Sequence, residues 1–560
     1  MSLSAAHPAP MVTDPPRSDA DHRFDMAIEA WFDARLALDP GLATFIGIHD
    51  HDGALPDGSH EQVEAEIAFW RSARAEMERV APGDLTPERA IDRDVVIHEA
   101  RLHLHRLTEL RAWEKATGAA EVIGEALFPL VARDFAPFVE RLESIAGRLE
   151  AIPGYLAATR TRVVGPDRLM TDIDLESTES LPDFLAAIAQ AVGSGPVPAA
   201  LAGRVTAAVG AARQQLTEHA VWMRSQLVPR ATQRWQLGRD GFEELLTLRE
   251  LGADGDQILA VGEQLLEETK RERDEVAAEI DPSRSTADVG TAIRADHPAT
   301  FEAALGAYRE AIGRARAFVS KHDLATLPPD DRLQVAETPA FMRHLIPFAA
   351  YYDPARFDPQ PTGTYIVTPP ATPEMLNEHS YAAISNTSVH EAYPGHHLQL
   401  AAGITHPSLV RLTLTAPEFT EGWAFYTERM MKQAGFDDSP AHRYVHLTDA
   451  IWRAVRIVLD VKLQRGEIGF DAAVDLLVRE TGFERDAALA EVKSYATDPG
   501  YFLSYLYGRH LIDRLRAEVE RRMADAFSPK WFHDTLIYGG TLPMAYARRR
   551  CDLRLCELDR

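Results

Sequence analysis

The chain has 560 residues, of which 46% are apolar and 26% are charged, a composition typical of a globular protein with a large core. Its formal net charge of -26 disfavours phosphate backbones, so the sequence predicts no nucleic-acid partner. It contains no apolar run long enough to span a membrane, and its two cysteines, Cys551 and Cys556, are too few for a disulfide framework or a structural zinc site.

The first 23 residues are rich in Pro, Asp, Ser and Ala, and we predict that they form a disordered lead-in. They lack a basic start followed by an apolar stretch, so they do not resemble a signal peptide. Low cysteine usage suits a reducing compartment. Together these features predict a cytoplasmic protein with no membrane partner.

Residues 24–327 are predicted to form a helical N-terminal part, because apolar residues follow the helical period through most of this range. One helix is predicted over Phe138–Ile152, with its end at Pro153-Gly154. Turns or short linkers are predicted at residues 82–84, 193–196 and 281–283. Further helical patterns lie near Ser59–Met77 and at Ile91–Leu110, Leu185–Val192, Arg204–Leu227, Ile258–Ile280 and Phe301–Val319.

Residues 328–560 are predicted to form a helical part that holds the functional site together with a short β element. Within it, Thr364–Thr368 is β-branched and aromatic and lies between Gly363 and Pro369, which makes it the best strand candidate in the chain. A strand there could pair with an extended peptide. Helices resume near Asn386, so the predicted fold class is mainly α: a large helical body with a small β element beside the site.

A cluster of three histidines and one glutamate lies on a predicted helix of this second part. Its residues are His390, Glu391, His396 and His397. In zinc hydrolases two imidazoles bind the metal, and a neighbouring carboxylate accepts a proton from the activated water. The cluster therefore predicts a zinc-dependent hydrolase in which His390 is a ligand and Glu391 is the general base.

The spacing of these histidines does not fit a regular helix. His396 lies roughly 120° around the helix from His390, and His397 lies about 10 Å further along the axis than His390. Pro394 removes an amide donor and clashes with the carbonyl group of His390, while Gly395 frees the backbone. A bulge there would bring His390 and His396 together, so His396 is the predicted second ligand and His397 the alternate. The competing interpretation is a kinked helix with surface histidines.

A catalytic zinc site needs a third protein ligand and an open position. Glu421 and Glu428 lie seven residues apart on one face of a predicted helix, which Thr420 could cap and Gly435 could end. Either glutamate could be the ligand, or both could be solvated. Apolar residues directly after Glu421 indicate that this end of the helix is buried, so Glu421 is predicted. Two histidines and one glutamate suit zinc best, although the pattern leaves other divalent metals open.

Tyrosines and basic residues gather on a predicted helix that begins near Pro499. Tyr501, Tyr505 and Arg509 form a stripe at i, i+4 spacing. Arg509 is a candidate anchor for a substrate carboxylate, and Tyr501 and His397 are further candidates for substrate binding. The competing interpretation is that the rings pack in the core, with their hydroxyls at the surface.

Two motifs of this chain resemble those of the bacterial DUF885 family, which is named for its unknown function. They are His390-Glu391-x-x-Pro394-Gly395-His396-His397-x-Gln399 and Glu421-Gly422-Trp423-Ala424-x-Tyr426. The resemblance extends to Asp39–Gly47, Gly363–Pro369 and Pro499–Gly508, and the chain departs from the family pattern at Gln464, Ser494 and Tyr501. That family is similar to the gluzincins, helical metallopeptidases whose third ligand is a glutamate. The resemblance implies one DUF885-like unit overall, with Tyr505 as the donor to the oxyanion.

The leading hypothesis is a zinc metallopeptidase that cleaves a small peptide or a related amide. One alternative is a metal hydrolase of a non-peptide amide or ester. Another is a metal-stabilised binding protein without turnover, although such a protein would not need a base at Glu391. The sequence leaves open the identity of the substrate, the choice between terminal and internal cleavage, and the oligomeric state.

Overall fold

The computed structural model describes residues 18–193, 196–338, 343, 349–370 and 372–558. The described chain forms two compact units. The N-terminal unit comprises the residues up to Trp235 together with Ala355–Pro361, and the C-terminal unit comprises Gln236–Pro354 and the residues from Thr362 onward. The sequence-based division after residue 327 thus falls inside the C-terminal unit.

The N-terminal unit is helical, as predicted. Residues 1–17 of the predicted lead-in lie outside the described residues, and the first helix begins at Asp19, within that lead-in, behind a cap in which Ser18 accepts a hydrogen bond from the Asp21 amide. The helices of this unit are α1 (Asp19–Leu38), α2 (Pro40–Ile46), α3 (His60–Glu78), α4 (Pro87–His105), α5 (Ala112–Lys115), α6 (Ala119–Ala132), α7 (Phe138–Arg162), α8 (Arg168–Gly193) and α9 (Ala199–Trp222).

The prediction that a helix ends at Pro153-Gly154 is wrong, because α7 continues to Arg162 with Pro153 in its interior. A proline there costs roughly 3 kcal/mol. Beyond it, Tyr155, Leu156 and Thr159 continue the buried face of α7. Burying large apolar side chains contributes about 1.5–3 kcal/mol each, so the packing of α7 offsets the cost of the proline.

The C-terminal unit holds thirteen labelled helices among its described residues, and a small sheet. The helices are α10 (Gly238–Leu248), α11 (Gly255–Ile280), α12 (Thr286–Arg294), α13 (Phe301–Lys321), α14 (Tyr381–Glu391), α15 (His396–Gly403), α16 (Pro417–Gln433), α17 (Pro440–Gln464), α18 (Phe470–Thr481), α19 (Arg485–Thr497), α20 (Ser504–Met523), α21 (Pro529–Ile537) and α22 (Met544–Leu558). The mainly α fold class that the sequence predicts is confirmed. No helix among the described residues is both long and apolar enough to cross a bilayer.

Within the described ranges the sheet has three strands, β1 (Leu333–Glu337), β2 (Ala349–Tyr352) and β3 (Gly363–Val367), in the order β1-β3-β2. The strand predicted at Thr364–Thr368 is β3, shifted by one residue. β3 runs parallel to β1 and antiparallel to β2. Because β3 is paired on both sides, it offers no free edge to a peptide, and the prediction of strand addition there is wrong.

Helices α16 and α20 cross at two glycines that allow their backbones to meet. A Cβ atom on Gly422 would lie 2.5 Å from the backbone carbon of Gly508, and one on Gly508 would overlap the carbonyl oxygen of Glu418. Glycine at both positions therefore sets how closely the helix that carries Glu421 approaches α20. This contact explains the glycine in the Glu421-Gly422-Trp423 motif.

Candidate metal centre

A break between α14 and α15 brings two histidines together. α14 ends at Glu391, α15 begins at His396, and Pro394 and Gly395 lie in the break. The ring centroids of His390 and His396 are 4.9 Å apart. The distortion predicted at Pro394-Gly395 is confirmed.

The indole of Trp423 on α16 fixes this break in place. Its Nε1–H donates a 2.8 Å hydrogen bond to the carbonyl oxygen of Pro394. The Gly395 amide donates to the carbonyl oxygen of Val389, at 3.0 Å. The Trp423 side chain is fully buried, so the tryptophan of the second motif ties the first motif to the helix that carries Glu421.

Glu421 on α16 completes a group of three donors. Its Oε2 atom lies 3.4 Å from His396 Nε2 and 3.9 Å from His390 Nε2. One nitrogen of each histidine and one oxygen of the glutamate all lie within 4.8 Å of one another. Within the part of the chain that the structure describes, no other group of three His, Cys, Asp or Glu side chains meets this criterion.

The charges of Glu421 and His396 shift each other's pKa values. Burial alone would lower the pKa of His396, but Glu421, with Glu391 and Asp353, raises it to about 9. Burial would likewise raise the pKa of Glu421, yet His396 and His390 hold it at about 2. The carboxylates of Glu421, Glu391 and Asp353 therefore create a negative potential at His396, which favours a positive charge at this position.

Helix α16 begins earlier than the sequence predicts. Its first residue is Pro417, a favoured residue at this position, so Thr420 does not cap the helix. The Thr420 hydroxyl instead donates to the carbonyl oxygen of Ala416, at 3.3 Å. The end of the helix is as predicted, because Gly435 follows it with φ at +91°.

Glu428, the alternative third ligand, faces the other nitrogen of His390. Its Oε1 lies 2.7 Å from His390 Nδ1, and its Oε2 accepts hydrogen bonds of 2.8 Å from His446 and from Asn386. The Glu428 side chain is buried. No sequence pattern indicates His446 or Asn386, because only the packing of α14, α16 and α17 brings them to this carboxylate.

Glu391, the predicted general base, is the last residue of α14 and is half-buried. Its charge contributes to the raised pKa of His396. Burial is the main cause of the raised pKa values of Tyr308 and Tyr365, and the charge of Glu391 raises both further. Glu391 therefore acts electrostatically both on His396 and on the ring pair of Tyr308 and Tyr365.

His397, the alternate ligand and substrate-binding candidate, is not one of the three converging donors. Its side chain is fully buried, and its Nδ1 lies 2.9 Å from the Tyr351 hydroxyl. Burial lowers the pKa of His397 to about 4. Its ring contacts those of Tyr351, on β2, and Tyr393.

The three residues of the predicted stripe, Tyr501, Tyr505 and Arg509, do not lie on one helix, because Tyr501 precedes the helix that carries the other two. The helix starts at Ser504 and not near Pro499, because Asp460 accepts hydrogen bonds from the Gly500 and Leu503 amides and holds residues 499–503 in a turn. Tyr501 precedes the helix, and its hydroxyl donates a 3.2 Å hydrogen bond to Glu421 Oε1.

Tyr505 and Arg509 lie on α20 in different surroundings. The Tyr505 ring is 6.1 Å from the Tyr501 ring and 4.6 Å from the Arg456 guanidinium, and burial and the charge of Glu421 raise the pKa of Tyr505. Arg509 is buried against the Phe425 ring, and burial lowers its pKa to about 10.

Asp353, just after β2, is a site residue that the sequence analysis missed. Burial raises the pKa of this carboxyl to about 6, with opposing contributions from the charges of His396 and Glu421. The only sequence signal was its position in a segment rich in aspartate and aromatic residues. Its place beside the donors depends on the pairing of β2 with β3.

Comparisons with known proteins identify relatives of this chain. The sequence profile described as "Bacterial protein of unknown function (DUF885)" matches residues 40–551. A solved structure from Shewanella oneidensis, of a protein provisionally described as a lipoprotein of unknown function, covers 95% of this chain and 99% of its own, with a TM-score of 0.77 at 22% identity. A second solved structure, from Colwellia psychrerythraea and provisionally described as a lipoprotein, covers 96% of this chain and 99% of its own, with a TM-score of 0.82 at 17% identity. These likenesses concern the fold alone. No curated protein matches the chain.

Proposed function

The chain belongs to the DUF885 family of bacterial proteins of unknown function, and we propose that it is a zinc-dependent hydrolase, a metallopeptidase that cleaves small peptides. One observation carries this proposal: two imidazoles and one carboxylate converge within 4.8 Å, and the carboxylate of Glu391 follows the first imidazole directly in the chain. The same arrangement supports the likeness to gluzincins that the motifs imply.

The three donors fit a catalytic zinc ion. Neutral imidazole nitrogen and carboxylate oxygen are preferred zinc ligands, and three protein ligands leave a position open for chemistry. His390, His396 and Glu421 would hold the ion. A zinc ion bound there supplies Lewis-acid activation of a water molecule and of the substrate carbonyl group.

The surrounding residues would handle the protons and the developing charge. Glu391 accepts a proton from the attacking water at a carboxylate oxygen while the oxygen–carbon bond forms, and it passes that proton to the leaving nitrogen as the carbon–nitrogen bond breaks. The Tyr505 hydroxyl donates a hydrogen bond to the carbonyl oxygen, where negative charge accumulates. We assign no substrate contact to His397 or Arg509, because His397 is hydrogen-bonded to Tyr351 and Arg509 lies against the Phe425 ring.

Metal content and substrate class test this function together. Elemental analysis of protein purified without chelator should find about one zinc per chain. The same protein should hydrolyse members of a short-peptide library, and chelator treatment should abolish that activity. If the protein cleaved only esters or non-peptide amides and no peptides, it would be the alternative metal hydrolase. Stoichiometric zinc without turnover on any of these libraries would favour a binding protein.

The cytoplasm is the location that we propose, because two unpaired cysteines, one of them buried, suit a reducing compartment. The two solved relatives are provisionally described as lipoproteins, and that description, applied to this chain, would place it at a membrane surface. Fractionation of the source cells followed by immunodetection distinguishes the two locations.

A further inference from the structure

The buried carboxylate of Glu428 joins three helices behind the candidate metal centre. It accepts hydrogen bonds from His390 and Asn386 on α14 and from His446 on α17, at 2.7–2.8 Å. The Asn386 amide nitrogen also donates to Asp449 on α17, at 2.9 Å. All three partners approach Glu428 with nitrogen atoms that can act as donors.

This arrangement decides which nitrogen of His390 is available to a cation. An ionised carboxylate only accepts hydrogen bonds, so His390 must carry its proton on Nδ1, the atom that faces Glu428. The neutral ring then has its lone pair on Nε2. That atom is the one that faces Glu421 Oε2, at 3.9 Å. The carboxylate therefore fixes both the tautomer and the orientation of the ring.

His446 supports the carboxylate from the opposite side. It is buried, and its Nδ1 lies 2.8 Å from Glu428 Oε2, while His390 takes Oε1. With each oxygen engaged by one histidine, Glu428 cannot rotate without losing a hydrogen bond to a charged group, which is worth about 1.5–3 kcal/mol. Glu428 and His446 together therefore resist displacement of the His390 ring.

We propose that Glu428, held by His446, is a positioning residue that fixes His390 for zinc binding and takes no part as a ligand. This inference rests on the proposed zinc function and adds to it the residues that set the affinity of the site. Loss of such a partner of a metal-ligating histidine typically weakens metal binding 10–100-fold.

The test is zinc affinity, measured by competition with a chromophoric chelator, for the full-length parent and four variants. Glu428→Gln removes the charge and keeps the shape, and His446→Leu removes one donor from Glu428 without touching His390. Glu421→Gln removes a proposed ligand. Asp174→Asn is the matched control, because Asp174 is another buried carboxylate and accepts three hydrogen bonds, from Thr117 and Gly118 in the N-terminal unit.

We expect the zinc Kd to rise about 10–100-fold in Glu428→Gln, and by a smaller factor in His446→Leu. Asp174→Asn should lower the melting temperature and leave the zinc Kd unchanged. A Kd within twofold of the parent in both Glu428→Gln and His446→Leu would overturn the inference while the zinc function stood. So would loss of zinc from Glu428→Gln as complete as that from Glu421→Gln, since Glu428 would then be a ligand. If Glu428→Gln does not fold, the Kd of His446→Leu decides. A parent that binds no zinc would instead remove the proposed function itself.

Discussion

The ring centroids of His390 and His396 lie 4.9 Å apart, although the two residues are six positions apart in the chain. The chain achieves this by ending α14 at Glu391 and restarting the helix at His396. A Cβ atom on Gly395, between the two helices, would overlap the backbone carbonyl oxygens of His390 and Val389. The convergence of the two proposed ligands therefore depends on the absence of a side chain at position 395.

Gly395→Ala should displace the backbone of His390, because the overlapping atoms belong to the main chain and cannot move aside cheaply. We expect a loss of about 1–3 kcal/mol in the free energy of unfolding and a rise in the zinc Kd of at least about tenfold, which corresponds to 1.4 kcal/mol. Urea unfolding and chelator competition measure the two effects. Gly306→Ala is the control, since nothing lies within 4 Å of a Cβ atom there. Parental zinc affinity in Gly395→Ala would contradict the role given to the break.

The sequence identified the three donors because their chemistry is local: histidines and a glutamate around Pro394-Gly395, and a glutamate beside apolar residues. It favoured Glu421 over Glu428 only through the apolar residues that follow Glu421, because residues seven apart share one helix face. That choice depends on α14 and α17, which place His390 and His446 against Glu428. Asp353 could not be predicted as a site residue, because the pairing of β2 with β3 brings it to the site.

The two tyrosines near Glu421 should have separable effects. Tyr505→Phe removes the proposed hydrogen-bond donor to the oxyanion, and loss of one such donor lowers kcat by about 10²–10³. Its zinc Kd should stay at the parental value. Tyr501→Phe removes the hydrogen bond to Glu421 Oε1, so we expect a weaker zinc site.

Steady-state kinetics and chelator competition on both variants check this assignment. The parent and Phe502→Leu, which changes a ring that contacts Tyr501, serve as references. If Tyr505→Phe kept its kcat while Tyr501→Phe lost it at full zinc occupancy, Tyr501 would replace Tyr505 as the donor.

A pH-dependent contribution to stability is expected from His49 in the N-terminal unit. Its Nδ1 lies 2.8 Å from Asp52 and its Nε2 lies 3.1 Å from Asp358, which also pairs with Arg133. Burial alone would lower the pKa of His49, but the two carboxylates raise it to about 9. Because the folded pKa exceeds the unfolded value of 6.5, the stabilisation is fully present below about pH 6.5 and is lost as the pH rises through about 9.

His49→Gln should therefore destabilise the protein by on the order of 1–2 kcal/mol at pH 6, after allowance for partial exposure of the ring. At pH 10 the difference from the parent should be much smaller. Thermal or urea unfolding of both proteins at the two pH values measures this. An equal difference at pH 6 and pH 10 would mean that the charge of His49 does not contribute.

The helical fold could be predicted because burial follows the helical period in most segments. Errors arose where tertiary packing overrides a local signal. Pro153 predicts a helix end, but the buried face of α7 continues through it. Pro499 predicts a helix start, yet Asp460 on a distant helix holds Gly500 and Leu503 in a turn. The sheet order could not be predicted, because β1 and β2 are short strands whose partner, β3, lies later in the chain.

The most direct test of the hydrolase mechanism compares Glu391→Gln with Glu421→Gln, measuring zinc occupancy and peptide hydrolysis in the same preparations. Glu391→Gln should keep its zinc and lose turnover by about 10²–10⁴, the usual contribution of a general base. Glu421→Gln should lose zinc, because a neutral amide is a poor ligand, and should lose activity with it. Full activity in Glu391→Gln would contradict the mechanism proposed here. Loss of zinc from Glu391→Gln, with retention in Glu421→Gln, would show that base and ligand are exchanged.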